Sequence, residues 1–221
     1  MTTRRRITCS ILSAFFLASC ALLGNEPALH TIRVKALADP SFRARNPRWE
    51  EELRGRVEAA SDYFEREFAV RLVTQSVAPW PVQERIRSTP ALIAKLKSDF
   101  PADKKDPSYD LIIAFTAEGL SRYTVDGRPR VDRIGDCAKG LGNYVVTSAN
   151  KIFLYTGAES DLDYDTVILV HELGHIFGAE HVRDTRSIMN EDFDYRADFD
   201  MKNRSVILKN RNCPFGNGKM E

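Results

Sequence analysis

From His30 to Ala36 polar and apolar side chains alternate, the two-residue period of a strand with one covered face. Beyond it the period lengthens: Trp49, Leu53, Val57, Ala60, Phe64 and Phe68 recur every three to four residues. That spacing predicts one stripe of a long amphipathic helix, with Asn46 as its N-cap and Pro47 in its first turn. Val70 to Val77 reads as a second strand, and Thr89-Pro90 opens a shorter helix to about Phe100 with Leu92, Ile93 and Leu96 inward. Tyr109 to Thr116 is apolar enough to be buried on both faces, so it belongs in the middle of a sheet. The glycines and proline of Ala117 to Lys139 mark a long loop, whose four arginines read as solvated because Asp126, Asp132 and Asp136 are interleaved with them. Strands are expected around Tyr144 and Phe153, followed by a helix after the acidic run Asp161 to Asp165. A last helix should carry Val206, Ile207 and Leu208, approached through an acidic stretch from Glu191 to Asp200. The alternation of strand and helix gives a mixed α/β fold.

The ends of the chain change this picture. Arg4, Arg5 and Arg6 precede an apolar run, Ile7 to Ala18, too short for a permanent membrane span. It ends Leu17-Ala18-Ser19-Cys20, which resembles a bacterial lipobox. The expected organisation is therefore a signal peptide over 1–19, a lipidated tether over 20–29 beginning at an acylated Cys20, and one domain over 30–221. The expected location is the cell envelope, lipid-anchored and exported. With Ala21 after the cysteine, a Gram-negative host would send it to the outer membrane. With 43% hydrophobic residues among 221, the chain has enough apolar material for one core, and a monomer is expected. Loss of 1–19 removes three arginines and no acid, moving the formal charge from +1 to about −2 and leaving no basic surplus for nucleic acid. Of the four cysteines, Cys137 and Cys213 then remain, and in an exported protein they are expected to form a disulfide.

The chemistry is concentrated in His171-Glu172-Leu173-Gly174-His175-Ile176-Phe177-Gly178-Ala179-Glu180-His181, which holds three of the four histidines. On a helix His171 and His175 share a face and can meet one ion, while Glu172 stands one step round. Gly178 can take a positive φ, end the helix and return the chain so that His181 supplies a third nitrogen. Three protein ligands with an adjacent carboxylate describe a catalytic zinc ion, whereas structural zinc is closed by four ligands rich in cysteine. His30, outside the motif, reads as an exposed strand residue. Asp161 and Asp163 could begin a calcium loop with Glu172 twelfth, but Thr166 stands where such a loop needs glycine, so calcium is not expected.

The motif, followed by Ser187-Ile188-Met189-Asn190, resembles that of the metzincin zinc endopeptidases, and the likeness covers about residues 109 to 200. The stretch Gly140 to Val146 with Lys151 to Tyr155 looks nearest to the adamalysin (reprolysin) branch. The resemblance implies His171, His175 and His181 as ligands of one Zn2+, Glu172 as general base and acid, Gly178 as the turn, and Met189 as the Met-turn residue. Glu191 stands where astacin-like and serralysin-like members carry a ligating tyrosine, so three protein ligands are implied. It also implies a zincin domain: a twisted, mostly parallel sheet with an antiparallel edge strand, an active-site helix and a C-terminal helix. The strand around Asn143 to Val146 is the expected edge above the zinc, where a protein or peptide substrate would pair. The implied activity is hydrolysis of peptide bonds by water that zinc and Glu172 activate. The alternative is a catalytically silent surface lipoprotein of the same shell that serves as a binding module.

Overall fold

The computed structural model describes residues 28–83, 86, 88–102, 106–118, 130–148, 164–191 and 198–216. The signal peptide, Cys20, the strand expected around Phe153 and Asp161 to Asp163 lie outside them. In chain order the elements are β1 (His30–Ala38), α1 (Pro40–Arg45), α2 (Trp49–Phe68), β2 (Val70–Pro79), α3 (Thr89–Asp99), β3 (Leu111–Thr116), β4 (Tyr144–Ser148), α4 (Tyr164–Ile176) and α5 (Met201–Asn210). Strands pair in the order β2-β1-β3-β4, every neighbour parallel. β3 lies between β1 and β4 with all six residues buried, as its unbroken apolar run requires.

Alternation along the strands divides the core into two layers. Leu111, Ile113 and Phe115 of β3 join Ile32 and Val34 of β1, the stripe of α2 and the apolar side of α4 on one face. Ile112 and Ala114 join Leu37, Trp80, Tyr144, Val146 and the inner side of α3 on the other. The sheet is thus covered by helices on both faces, and β3 and β4, buried along their whole length, carry no charged side chain.

Three local expectations are corrected. Asn46 is not the N-cap of α2. It closes α1, giving its side-chain amide to the Phe42 carbonyl, while Arg48 precedes Trp49 without a side-chain cap. The short α1 escaped the periodicity because it has one buried residue, Phe42. Its start is nevertheless written in Asp39-Pro40, where the Asp39 carboxylate accepts from the Phe42 N–H.

The second correction concerns the sheet edge. β4 is not the outermost strand, because a short segment within the expected loop lies antiparallel beside it, bridging at Val131 and Val145. The Val146 N–H donates to the Arg130 carbonyl at 2.9 Å and the Asp132 N–H to the Tyr144 carbonyl at 3.2 Å. In this pairing the N–H and C=O of Val131 turn away from β4. Lastly, Arg130 is not solvated: it is 5% exposed.

The C-terminal α5 is capped by Asp200, the last residue of the acidic stretch, whose carboxylate accepts from the Asn203 N–H. Beyond α5 the chain returns to the segment before β4, where Cys137 and Cys213 are joined with Cα atoms 5.1 Å apart. Among the described residues no helix is long and apolar enough to cross a membrane.

Candidate metal centre

α4 presents two unlike sides. Leu169, Val170, Leu173 and Ile176 enter the core beneath the sheet, and His171 and His175, four apart, share a different face. Gly174 lets the helix lie close to its floor, since a Cβ there would fall 2.8 Å from the Phe199 ring and 2.9 Å from Met189 Sδ. The helix ends in a paired cap. The Gly178 N–H reaches the His175 carbonyl at 3.0 Å and the Ala179 N–H the Gly174 carbonyl at 2.9 Å. This cap needs a left-handed residue, and Gly178 has φ of +97°.

On either side of Gly178 the chain is held by two asparagines of α5, spaced seven apart. Asn210 donates to the Phe177 carbonyl at 2.9 Å. Asn203 accepts from the Glu180 N–H and donates to the Glu180 carbonyl, both at 2.9 Å. The residue that follows is His181, now beneath the helix. Its Nε2 lies 3.2 Å from that of His171 and 3.0 Å from that of His175, and the helical pair are 3.1 Å apart.

Each imidazole is steered from behind. His171 Nδ1 lies 2.6 Å from the Ile188 carbonyl, His175 Nδ1 2.7 Å from the Ala179 carbonyl, and His181 Nδ1 3.0 Å from Glu191 Oε1. An Nδ1 facing an oxygen acceptor carries its proton there, so all three Nε2 lone pairs point at one spot. Three lone pairs at this separation repel unless a cation lies between them. Zinc–nitrogen bonds of tetrahedral geometry put ligand nitrogens about 3.3 Å apart, and the observed spacings are within 0.3 Å of that. The donors therefore fit zinc. Burial, reinforced by His181 nearby, lowers the His175 pKa to about 3, so its imidazole is in the neutral form a metal requires.

Glu172 is 2% exposed. One oxygen accepts from the Arg130 main-chain N–H at 2.8 Å, and the other lies 3.8 Å from the Arg130 Nε. The same guanidinium donates to the Ser148 hydroxyl at the end of β4. The carboxylate beside the histidines is thus tied to the short antiparallel segment.

Met189 is fully buried in a turn closed by the Asn190 N–H on the Ser187 carbonyl at 3.0 Å. The Ser187 hydroxyl donates to Asp200 and accepts from the Met189 N–H. The Ile188 carbonyl of this turn is the one that holds His171, so the turn aims a ligand as well as filling space. His30 is far along the chain at the start of β1, outside the cluster. Asp165, from the acidic lead-in, pairs with Arg56 at 2.7 Å.

Arg130, Glu191, Asn203 and Asn210 were not readable as site residues. The asparagines left a signal, a polar pair at i and i+7 on one helix face, and Glu191 left another in standing two residues past Met189, where other branches carry a ligand.

A sequence model described as metallo-peptidase family M12 matches residues 28–218. No curated protein matches the chain. Among solved structures, archaemetzincin from Methanopyrus kandleri aligns with a TM-score of 0.52 and 19% identity, over 84% of this chain and 98% of its own. At that identity the likeness is one of fold, a metzincin-like zincin.

Proposed function

The chain belongs to metallopeptidase family M12, and from that premise we propose that it is a zinc-dependent endopeptidase. The observation that carries the reading is the convergence of three Nε2 atoms within 3.2 Å of one another, beside a buried carboxylate. His171, His175 and His181 would hold the ion. When bound, zinc supplies the Lewis acidity that polarises a peptide carbonyl and brings the pKa of water towards neutrality.

The remaining work falls to the chain. Glu172 accepts a proton from the attacking water at a carboxylate oxygen as the new carbon–oxygen bond forms. It then gives that proton to the amine nitrogen as the carbon–nitrogen bond breaks. Arg130 holds the carboxylate in one orientation, so little reorganisation is needed at the moment of transfer. An extended substrate pairs with the outward N–H and C=O of Val131, recognition that reads backbone rather than sequence. Such pairing on the open side of a segment admits chain on both sides of the scissile bond, which supports internal cleavage.

The rival reading, a silent binding module, would be favoured by a missing ligand or base, and this chain has all four residues. An internally quenched peptide blocked at both termini tests the proposal. We expect cleavage that a chelator abolishes and added zinc restores. Absence of cleavage across a varied set of such peptides by zinc-loaded protein would contradict it. The Leu17-Ala18-Ser19-Cys20 sequence supports a further part of the proposal, that the enzyme is exported and held at the cell envelope by acyl chains on Cys20. Cys20→Ala should then release it from membranes, and retention of the variant at high salt would refute the anchor.

A further inference from the structure

Two of the three imidazoles are aimed by main-chain carbonyls, those of Ile188 and Ala179, which belong to a turn and a helix cap and persist whatever side chains surround them. His181 differs. It lies in the loop beyond the helix, its side chain is 20% exposed, and the group at its Nδ1 is the Glu191 carboxylate at 3.0 Å.

Neighbouring bonds make the meeting of these two residues a built feature. Val182, next to His181, donates its N–H to the Met189 carbonyl at 3.0 Å and receives the Asn190 side-chain amide on its own carbonyl at 3.0 Å. The segment carrying His181 is thus stitched to the segment carrying Glu191 by bonds one or two residues away from each. We propose that Glu191 is a positioning residue for the third zinc ligand. By accepting the Nδ1 proton it fixes the His181 tautomer, keeps the Nε2 lone pair turned inward and adds electron density to the ring.

This inference rests on the zinc reading given above. Removing an outer partner of a ligating histidine costs 10–100-fold in metal affinity, and a carboxylate with its side chain 54% exposed belongs at the low end of that range. The measurement is the zinc dissociation constant of the full chain, by competition with a chromophoric chelator, in wild type, Glu191→Ala, Glu191→Gln and Glu180→Ala. Glu180 adjoins His181 in sequence but pairs with Lys202, so its variant removes a nearby charge without touching the imidazole.

We expect Glu191→Ala to weaken zinc binding about tenfold. Glu191→Gln, which keeps an acceptor oxygen, should weaken it less, and Glu180→Ala should leave it unchanged. Melting of the metal-free proteins should be alike, since an exposed carboxylate contributes little to the fold. Unchanged affinity in Glu191→Ala would overturn the proposal, as would equal losses in Glu191→Ala and Glu180→Ala, which would reduce the contact to bulk charge. A wild-type chain that binds no zinc would instead refute the metal reading on which the inference stands.

Discussion

Arg130 brings a permanent charge into a site where its side chain is 7% exposed, and the partners that justify it are Glu172 and Ser148. The guanidinium lies 3.8 Å from the Glu172 carboxylate, an ion pair in a site nearly closed to water, so its loss should be felt where Glu172 works. Arg130→Ala is expected to lower kcat for peptide hydrolysis at least tenfold while zinc content is kept, since the main-chain N–H remains to hold one carboxylate oxygen. Arg130→Lys should recover part of the loss. Steady-state kinetics beside metal analysis checks this, and an unchanged kcat in Arg130→Ala would contradict it. The histidines were legible because their spacing alone fixes their geometry on a helix and its cap. Arg130 was not, because interleaved aspartates in a glycine-rich stretch read as a solvated face. One of those aspartates is also inward: Asp132 accepts from the Asn143 and Tyr144 N–H groups, and burial raises its pKa. Burial of both depends on β4 and α4 arriving from later in the chain, which no local pattern records.

α4 depends on how it stops. Its cap requires the left-handed φ of Gly178, and the position is crowded as well, for a Cβ would lie 2.4 Å from the Gly135 carbonyl and 2.7 Å from the Asn210 amide. A left-handed backbone costs a residue with a Cβ about 1–2 kcal/mol before any clash. Gly178→Ala should therefore lose at least about 2 kcal/mol, a fall in Tm of roughly 4–8 °C for a domain of this size, and should bind zinc more weakly because His181 hangs from the same turn. Calorimetry on both proteins decides it, and an unchanged Tm would show that the cap is not rigid. The longer elements were legible because α2 and β3 repeat a period over many residues. α1 was missed for want of length, and the antiparallel segment at Val131 because three residues cannot display a period.

At the scale of the molecule, the parallel sheet sets β3 between β1 and β4, α4 under one face, and α5 behind the returning loop. α5 was expected only as a last helix carrying Val206, Ile207 and Leu208, yet Asn210 and Asn203 hold the main chain on either side of Gly178, at Phe177 and Glu180. The turn at Met189 aims His171 through the Ile188 carbonyl, and the Cys137–Cys213 link ties the end of α5 to the segment before β4. The mixed α/β class was readable from element order and an antiparallel edge was implied by the resemblance, but which segment forms that edge was not, because its pairing depends on a long connection.

The central claim is that three histidines bind zinc while Glu172 moves protons. Zinc content and peptide hydrolysis, measured together on wild type, Glu172→Ala and His181→Ala, test it most directly. Glu172→Ala should keep about one zinc per chain and lose roughly 100-fold or more in hydrolysis, the scale of an acid–base group. His181→Ala should lose the metal itself, since two imidazoles leave the ion short of ligands. Full hydrolysis by Glu172→Ala, or undiminished zinc binding by His181→Ala, would contradict the account.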